Sequence, residues 1–136
     1  METYLKELIA KEGTYKKWVY KCENGIEYTC EVRRNPRGLH LCGYVLLTED
    51  SDYYGVEYDD IRVDCHGGLT YGSKDDDHWV IGFDCAHLTD LQPGYDIHGG
   101  EYRTMDYVMN ECESICEQIS VKSKAHRRTF KLNELI

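Results

Sequence analysis

The chain has only two prolines, two phenylalanines and no C-x-x-C pair among its seven cysteines. So little proline, without a Gly-X-Y period, excludes collagen-like and proline-rich architectures. No apolar run approaches the ~20 residues of a membrane-spanning helix, and the opening Met1-Glu2-Thr3-Tyr4-Leu5-Lys6 lacks the basic-then-apolar pattern of a secretion signal. These absences predict a soluble, cytoplasmic protein. The missing C-x-x-C removes the strongest sequence sign of a zinc knuckle, and an odd cysteine count in a reducing compartment argues against a disulfide framework. No internal repeat is visible.

What is present fits one domain. The 136 residues are 41% apolar and 12% aromatic, enough to bury a single core without staples. The expected unit spans residues 1–136, with 121–136 as a loosely held tail. Charge is uneven along it. Residues 1–48 hold six acids and eight bases, residues 49–106 fifteen acids and three bases, and residues 107–136 four acids and five bases; the segment charges are +2, −12 and +1, giving the net −9. A −12 segment repels a nucleic-acid backbone and suits metal ions or a basic protein surface. The plainer alternative is a solvated acidic face that aids solubility.

Tyr4, Leu5, Leu8 and Ile9 recur at helical spacing up to Gly13 and predict an N-terminal helix. Tyr15–Glu23 and Ile26–Arg33 read as strands joined by Asn24-Gly25, the dipeptide suited to a two-residue type I′ turn. Leu39–Leu47 reads as a central strand, Thr48–Asp60 as an acidic, Tyr-rich loop, Ile61–Cys65 and Leu69–Gly72 as short strands, and Trp79–Asp84 as a buried one. Residues 88–100 are irregular. Met105, Val108, Met109, Cys112, Ile115, Cys116 and Ile119 share one helical face. Phe130, Leu132, Leu135 and Ile136 could dock the tail. The expected fold is α+β: an antiparallel or mixed sheet with an N-terminal helix and a C-terminal amphipathic helix packed on it.

Residues suited to chemistry bunch in Asp64-Cys65-His66-Gly67-Gly68-Leu69-Thr70-Tyr71 and in Gly82-Phe83-Asp84-Cys85-Ala86-His87, with Asp90 just beyond. Imidazole, thiolate and carboxylate are zinc's ligands, so His66, Asp84, Cys85 and His87 form a candidate four-ligand set for zinc or another divalent ion. Strand geometry turns Asp84 away from Cys85 and His87. A hydrogen-bonded structural cluster, with His66 or His87 fixed by Asp84, therefore competes with the metal reading. Catalysis by a Cys–His pair lacks a surrounding nucleophile signature. Tyr53, Tyr54 and Tyr58 among Asp50, Asp52, Glu57, Asp59 and Asp60 resemble a protein-binding surface, to which Asp75, Asp76 and Asp77 add charge.

Leu41-Cys42-Gly43-Tyr44-Val45, Tyr54-Gly55-Val56-Glu57-Tyr58-Asp59, His66-Gly67-Gly68-Leu69-Thr70-Tyr71 and Trp79-Val80-Ile81-Gly82-Phe83-Asp84-Cys85-Ala86-His87, followed by a charged helix over 107–119, resemble a group of small phage and prophage proteins. The likeness covers residues 25–120. It implies a phage context and a shared site around His66, Asp84 and His87. By analogy with small acidic phage inhibitors, the leading expectation is a non-enzymatic, zinc-binding protein that inhibits a host defence component, such as an anti-CRISPR acting on a Cas nuclease. It expects a basic partner surface, no direct nucleic-acid contact and no membrane. The first alternative is a small metal-dependent hydrolase, with His66 and His87 on the metal and Asp84 or Asp90 as general base. The second is a pocket that sequesters a nucleotide signal through Arg33, Arg34, Arg37, Arg62 or Arg103.

Overall fold

The computed structural model describes residues 1–95 and 99–135, with side chains up to Val121. Helix α1 (Thr3–Glu12) precedes strands β1 (Tyr15–Lys21), β2 (Glu27–Arg34) and β3 (Leu41–Leu47); after a 3-10 turn at Tyr58–Asp60 come β4 (Tyr71–Asp75), β5 (His78–Asp84) and α2 (Met105–Leu135). The strands form one sheet in the order β1-β2-β3-β5-β4, with every pairing antiparallel. This is the expected α+β fold, with the mixed-sheet option resolved. No helix among the described residues is long and apolar enough to cross a membrane.

The pleat decides what is buried. Cys30, Val32, Val45, Leu47, Ile81 and Phe83 line one sheet face, and the α2 stripe of Met105, Val108, Cys112, Ile115, Cys116 and Ile119 completes the core. Gly43 must be glycine in the central strand, because a Cβ there would come within 2.6 Å of the Phe83 ring and 2.7 Å of Cys112 Sγ. Burying these side chains is the main source of stability. Trp18 Nε1 donates to Glu113 at 2.9 Å and the Tyr20 hydroxyl to Glu117 at 3.2 Å, tying β1 to the same helix.

Several local expectations change. The β1–β2 hairpin has a three-residue loop, Glu23-Asn24-Gly25, closed by Cys22 N–H to Ile26 O (2.8 Å) and Gly25 N–H to Cys22 O (2.9 Å). Gly25 has positive φ and Asn24 does not, so this is a turn with a glycine bulge rather than a type I′ turn. Residues 61–65 form no strand. They are held to α2 instead by paired bonds: Asp64 N–H to Gln118 Oε1 and Gln118 Nε2 to Asp64 O, both 2.8 Å. The amide of Gln118 takes the place of a neighbouring strand. The predicted strand at 69–72 lies over 71–75. The α2 backbone continues beyond Ile119 to Leu135, since neither Gly nor Pro interrupts it; docking by Phe130, Leu132, Leu135 and Ile136 lies outside the described side chains.

Candidate functional site

Asp90 is the hub. Its side chain is fully buried, and a buried carboxylate must be satisfied by donors. His66 Nε2 lies 2.8 Å from both carboxylate oxygens, Arg103 Nε donates to Oδ1 at 2.8 Å, and the His87 backbone N–H donates to Oδ2 at 3.0 Å. Burial alone would raise the Asp90 pKa, but these bonds outweigh it and hold the carboxyl below its ordinary value. The other ring nitrogen, His66 Nδ1, is 2.8 Å from the Tyr107 hydroxyl. With the ring neutral, Nε2–H donates to Asp90 and Nδ1 accepts from Tyr107; with the ring protonated, both nitrogens donate. Arg103 also donates to Glu101 at 2.9 Å and lies over the Tyr107 ring, 5.4 Å from its centroid.

The second carboxylate, Asp84, ends β5. It accepts the Thr70 hydroxyl and the Ala86 N–H, both at 3.0 Å, and Oδ1 is 3.4 Å from His87 Nε2. That nitrogen is covered and makes no hydrogen bond among the described residues; the close approach to Asp84 is an ion-pair distance without hydrogen-bond alignment. Gly67 explains the covering. Its φ is +69°, and a Cβ would come within 2.1 Å of His87 Nε2, so the glycine both makes the turn and seats the imidazole.

The four predicted ligands therefore divide. Asp84 and His87 face each other because the strand ends at Asp84. Both His66 nitrogens are engaged by Asp90 and Tyr107, and the His66 and His87 rings are tilted at 5.8 Å between centroids. Cys85 is buried in the core, where burial raises its thiol pKa strongly. Among the described residues no group of three or more His, Cys, Asp or Glu side chains is placed to hold a metal ion. Of the two histidines expected on Asp84, His87 lies beside it and His66 is bonded to Asp90 instead. The His87-x-x-Asp90 spacing accounts only for the local bond from the His87 N–H to Asp90; the pairing of Asp90 with His66, 24 residues away, has no local signal. Nothing local marks Tyr107, on a helix 41 residues from His66.

His66 borders a shallow groove of about 570 Å³ lined also by Asp64, Cys65, Glu111, Ser114 and Gln118. Burial, then Glu111, raises the Cys65 thiol to about 11, so it stays protonated at neutral pH. The arginines named for a nucleotide are scattered: Arg33 pairs with Glu31 at 2.6 Å, and Arg34, itself buried, bonds Gly13 O, Leu39 O, Tyr102 and Glu12. Arg103 belongs to Asp90, and Arg62 has a partner.

The acidic residues are placed differently. The ladders put the β1–β2 turn, the end of β3 and the β4–β5 turn at one end of the sheet. Glu23, Glu27, Glu49, Asp50, Asp52 and Asp75 to Asp77 are exposed there. Glu57, Asp59 and Asp60 are exposed beside β4, where Tyr58 lies against Gly72. Tyr54 and Tyr58 are half-buried, and Tyr53 packs against the core. No family model, curated protein or solved structure matches the chain.

Proposed function

We propose that this protein is a binding protein that docks on a basic protein surface through the acidic end of its sheet. One observation carries the reading: three turns distant in sequence bring exposed carboxylates together, with Lys21 and Lys74 as the interspersed cations. Such a field speeds encounter with a basic groove and disfavours nucleic acid. The phage resemblance makes a host defence protein, such as a Cas nuclease, the first partner to try. The test is association of the purified chain with such a nuclease between 50 and 300 mM salt, beside Asp75→Asn/Asp76→Asn/Asp77→Asn. The expected result is a rate that falls about tenfold or more with salt, and less steeply in the variant. No binding, or a rate indifferent to both, rejects it.

A second reading is supported by the unbonded His87 Nε2 beside Asp84. Zinc or another divalent ion could use this pair as two of its ligands. Elemental analysis of the purified protein and His87→Ala decides: stoichiometric metal lost in the variant supports it, and none in either rejects it.

A further inference from the structure

The sheet has two edges, and they differ. The β4 edge is five residues long, is interrupted by Gly72 and has Tyr58 against that glycine. The β1 edge is seven residues long, has neither Gly nor Pro, and exposes Tyr15, Lys16, Lys17, Val19 and Lys21. The hydrogen bonds fix which backbone groups of β1 face outward. Arg34 N–H donates to Thr14 O (2.9 Å) and Cys22 N–H to Ile26 O (2.8 Å), so in this antiparallel pair the even-numbered residues bond β2. The N–H and C=O groups of Tyr15, Lys17, Val19 and Lys21 therefore point away from the sheet. Their side chains share the face opposite α2, since Trp18 and Tyr20 bond α2 from the other face.

We infer that the β1 edge takes up an acidic, extended segment of a partner protein as a sixth strand. This is a second contact surface, and it does not rest on the acidic one. Outward-facing backbone groups supply the pairing, and the side chains select the partner. Charge alternates across this face: Glu31 and Glu27 of β2 stand opposite Lys17 and Lys21 of β1, and Lys17 Nζ is 3.9 Å from Glu31. A next strand continues the alternation with acids beside Lys17 and Lys21. Val19, 62% exposed, and Tyr15, 52% exposed, call for apolar neighbours at the positions between. The other face is less suited to acids, because Glu113 and Glu117 flank it. A second copy of the chain is a poor occupant. It would set its own Lys16, Lys17 and Lys21 against these three, and β1 carries no acid to answer them.

The probe is the peptide acetyl-Glu-Thr-Val-Thr-Glu-Thr-Val-amide, titrated into the full chain and followed by amide NMR and hydrogen exchange. One counterpart has lysine in place of both glutamates. Another has both valines N-methylated, which keeps the charge and removes pairing N–H groups. The acidic peptide is expected to shift the β1 signals saturably and to slow exchange at the Lys17, Val19 and Lys21 amides; the Trp18 and Tyr20 amides, bonded to β2, are slow beforehand. The lysine peptide should bind about tenfold more weakly, and the N-methylated peptide should not slow exchange at all.

Two variants test the same edge separately. Lys17→Gln/Lys21→Gln should weaken the acidic peptide about fivefold or more, with Arg33 left to hold Glu31. Val19→Pro removes one outward N–H and no bond to β2, so it should abolish the slowed exchange while the signals of β2 to β5 stay in place. Equal binding of either counterpart, no saturable shift in β1, unchanged affinity in both variants, or a dimer of the chain paired through β1 would each overturn the assignment.

Discussion

The two ends of the sheet handle negative charge in opposite ways. Where β5 runs out, Asp84 and Asp90 are each met by donors, and nearby Glu12 accepts from Arg34, Tyr102 and the Met105 N–H at the start of α2. Where β4 turns into β5, Asp75, Asp76 and Asp77 face water. A carboxylate out of water is costly unless bonded, so the first end is built by local partners. At the second end solvation is cheap, and the charges act together at a distance set by salt. Carboxylates at one end are therefore held by partners within the fold, and those at the other are left to solvent and to each other's field.

The largest expected effect is at the hub. Asp90→Ala leaves Arg103 and His66 without their acceptor and should cost about 3–5 kcal/mol in urea unfolding; a cost under 1 kcal/mol would mean that the first end is not built by this residue. Because the folded Asp90 pKa lies below its ordinary value, its contribution is present above about pH 4 and lost as pH falls through the folded value. Acid unfolding of Asp90→Asn should lack that component.

Gly67→Ala comes next. The added Cβ meets His87 at positive φ, so a loss of roughly 1–3 kcal/mol is expected. In a His87→Ala background the steric share should disappear and only the backbone strain remain. Additive losses in the double variant would contradict the seating of His87 by Gly67.

A smaller effect comes from His40, which is 8% exposed and whose Nδ1 makes no hydrogen bond among the described residues. Burial lowers its pKa against the opposing pull of Asp84 and Asp90. The unfolded chain takes up this proton near pH 6.5 and the folded chain only below that, so stability is full above pH 6.5 and declines on acidification. Unfolding at pH 7 and 5.5 should fall more in the native chain than in His40→Leu, by up to about 1.4 kcal/mol per pH unit. The smallest stability change is predicted for Asp75→Asn/Asp76→Asn/Asp77→Asn, within about 0.5 kcal/mol per exposed site. A large loss there would erase the contrast between the ends.

Much of the fold could be read along the chain. The apolar run in Trp79–Phe83 and the helical stripe from Met105 to Ile119 are local signals, and both elements form there. The hairpin was legible in position but not in turn type, because one extra loop residue changes the geometry without changing the composition. Residues 61–65 looked like a strand because Ile61, Val63 and Cys65 alternate with Arg62 and Asp64; Gln118 captured the Asp64 backbone instead. The site divides in the same manner. His66, His87 and Asp90 were visible in or beside the two motifs, whereas the pairing of Asp90 with His66 and the addition of Arg103 and Tyr107 come only from the tertiary fold.

By itself, then, the sequence determined the α+β class, the acidic middle and the segments that carry the histidines, since composition and periodicity are local properties. The tertiary structure decided which carboxylate serves which histidine and where the remaining acids gather. Those outcomes depend on strand register and on where each strand ends, and register is fixed only when the whole sheet pairs and packs on α2.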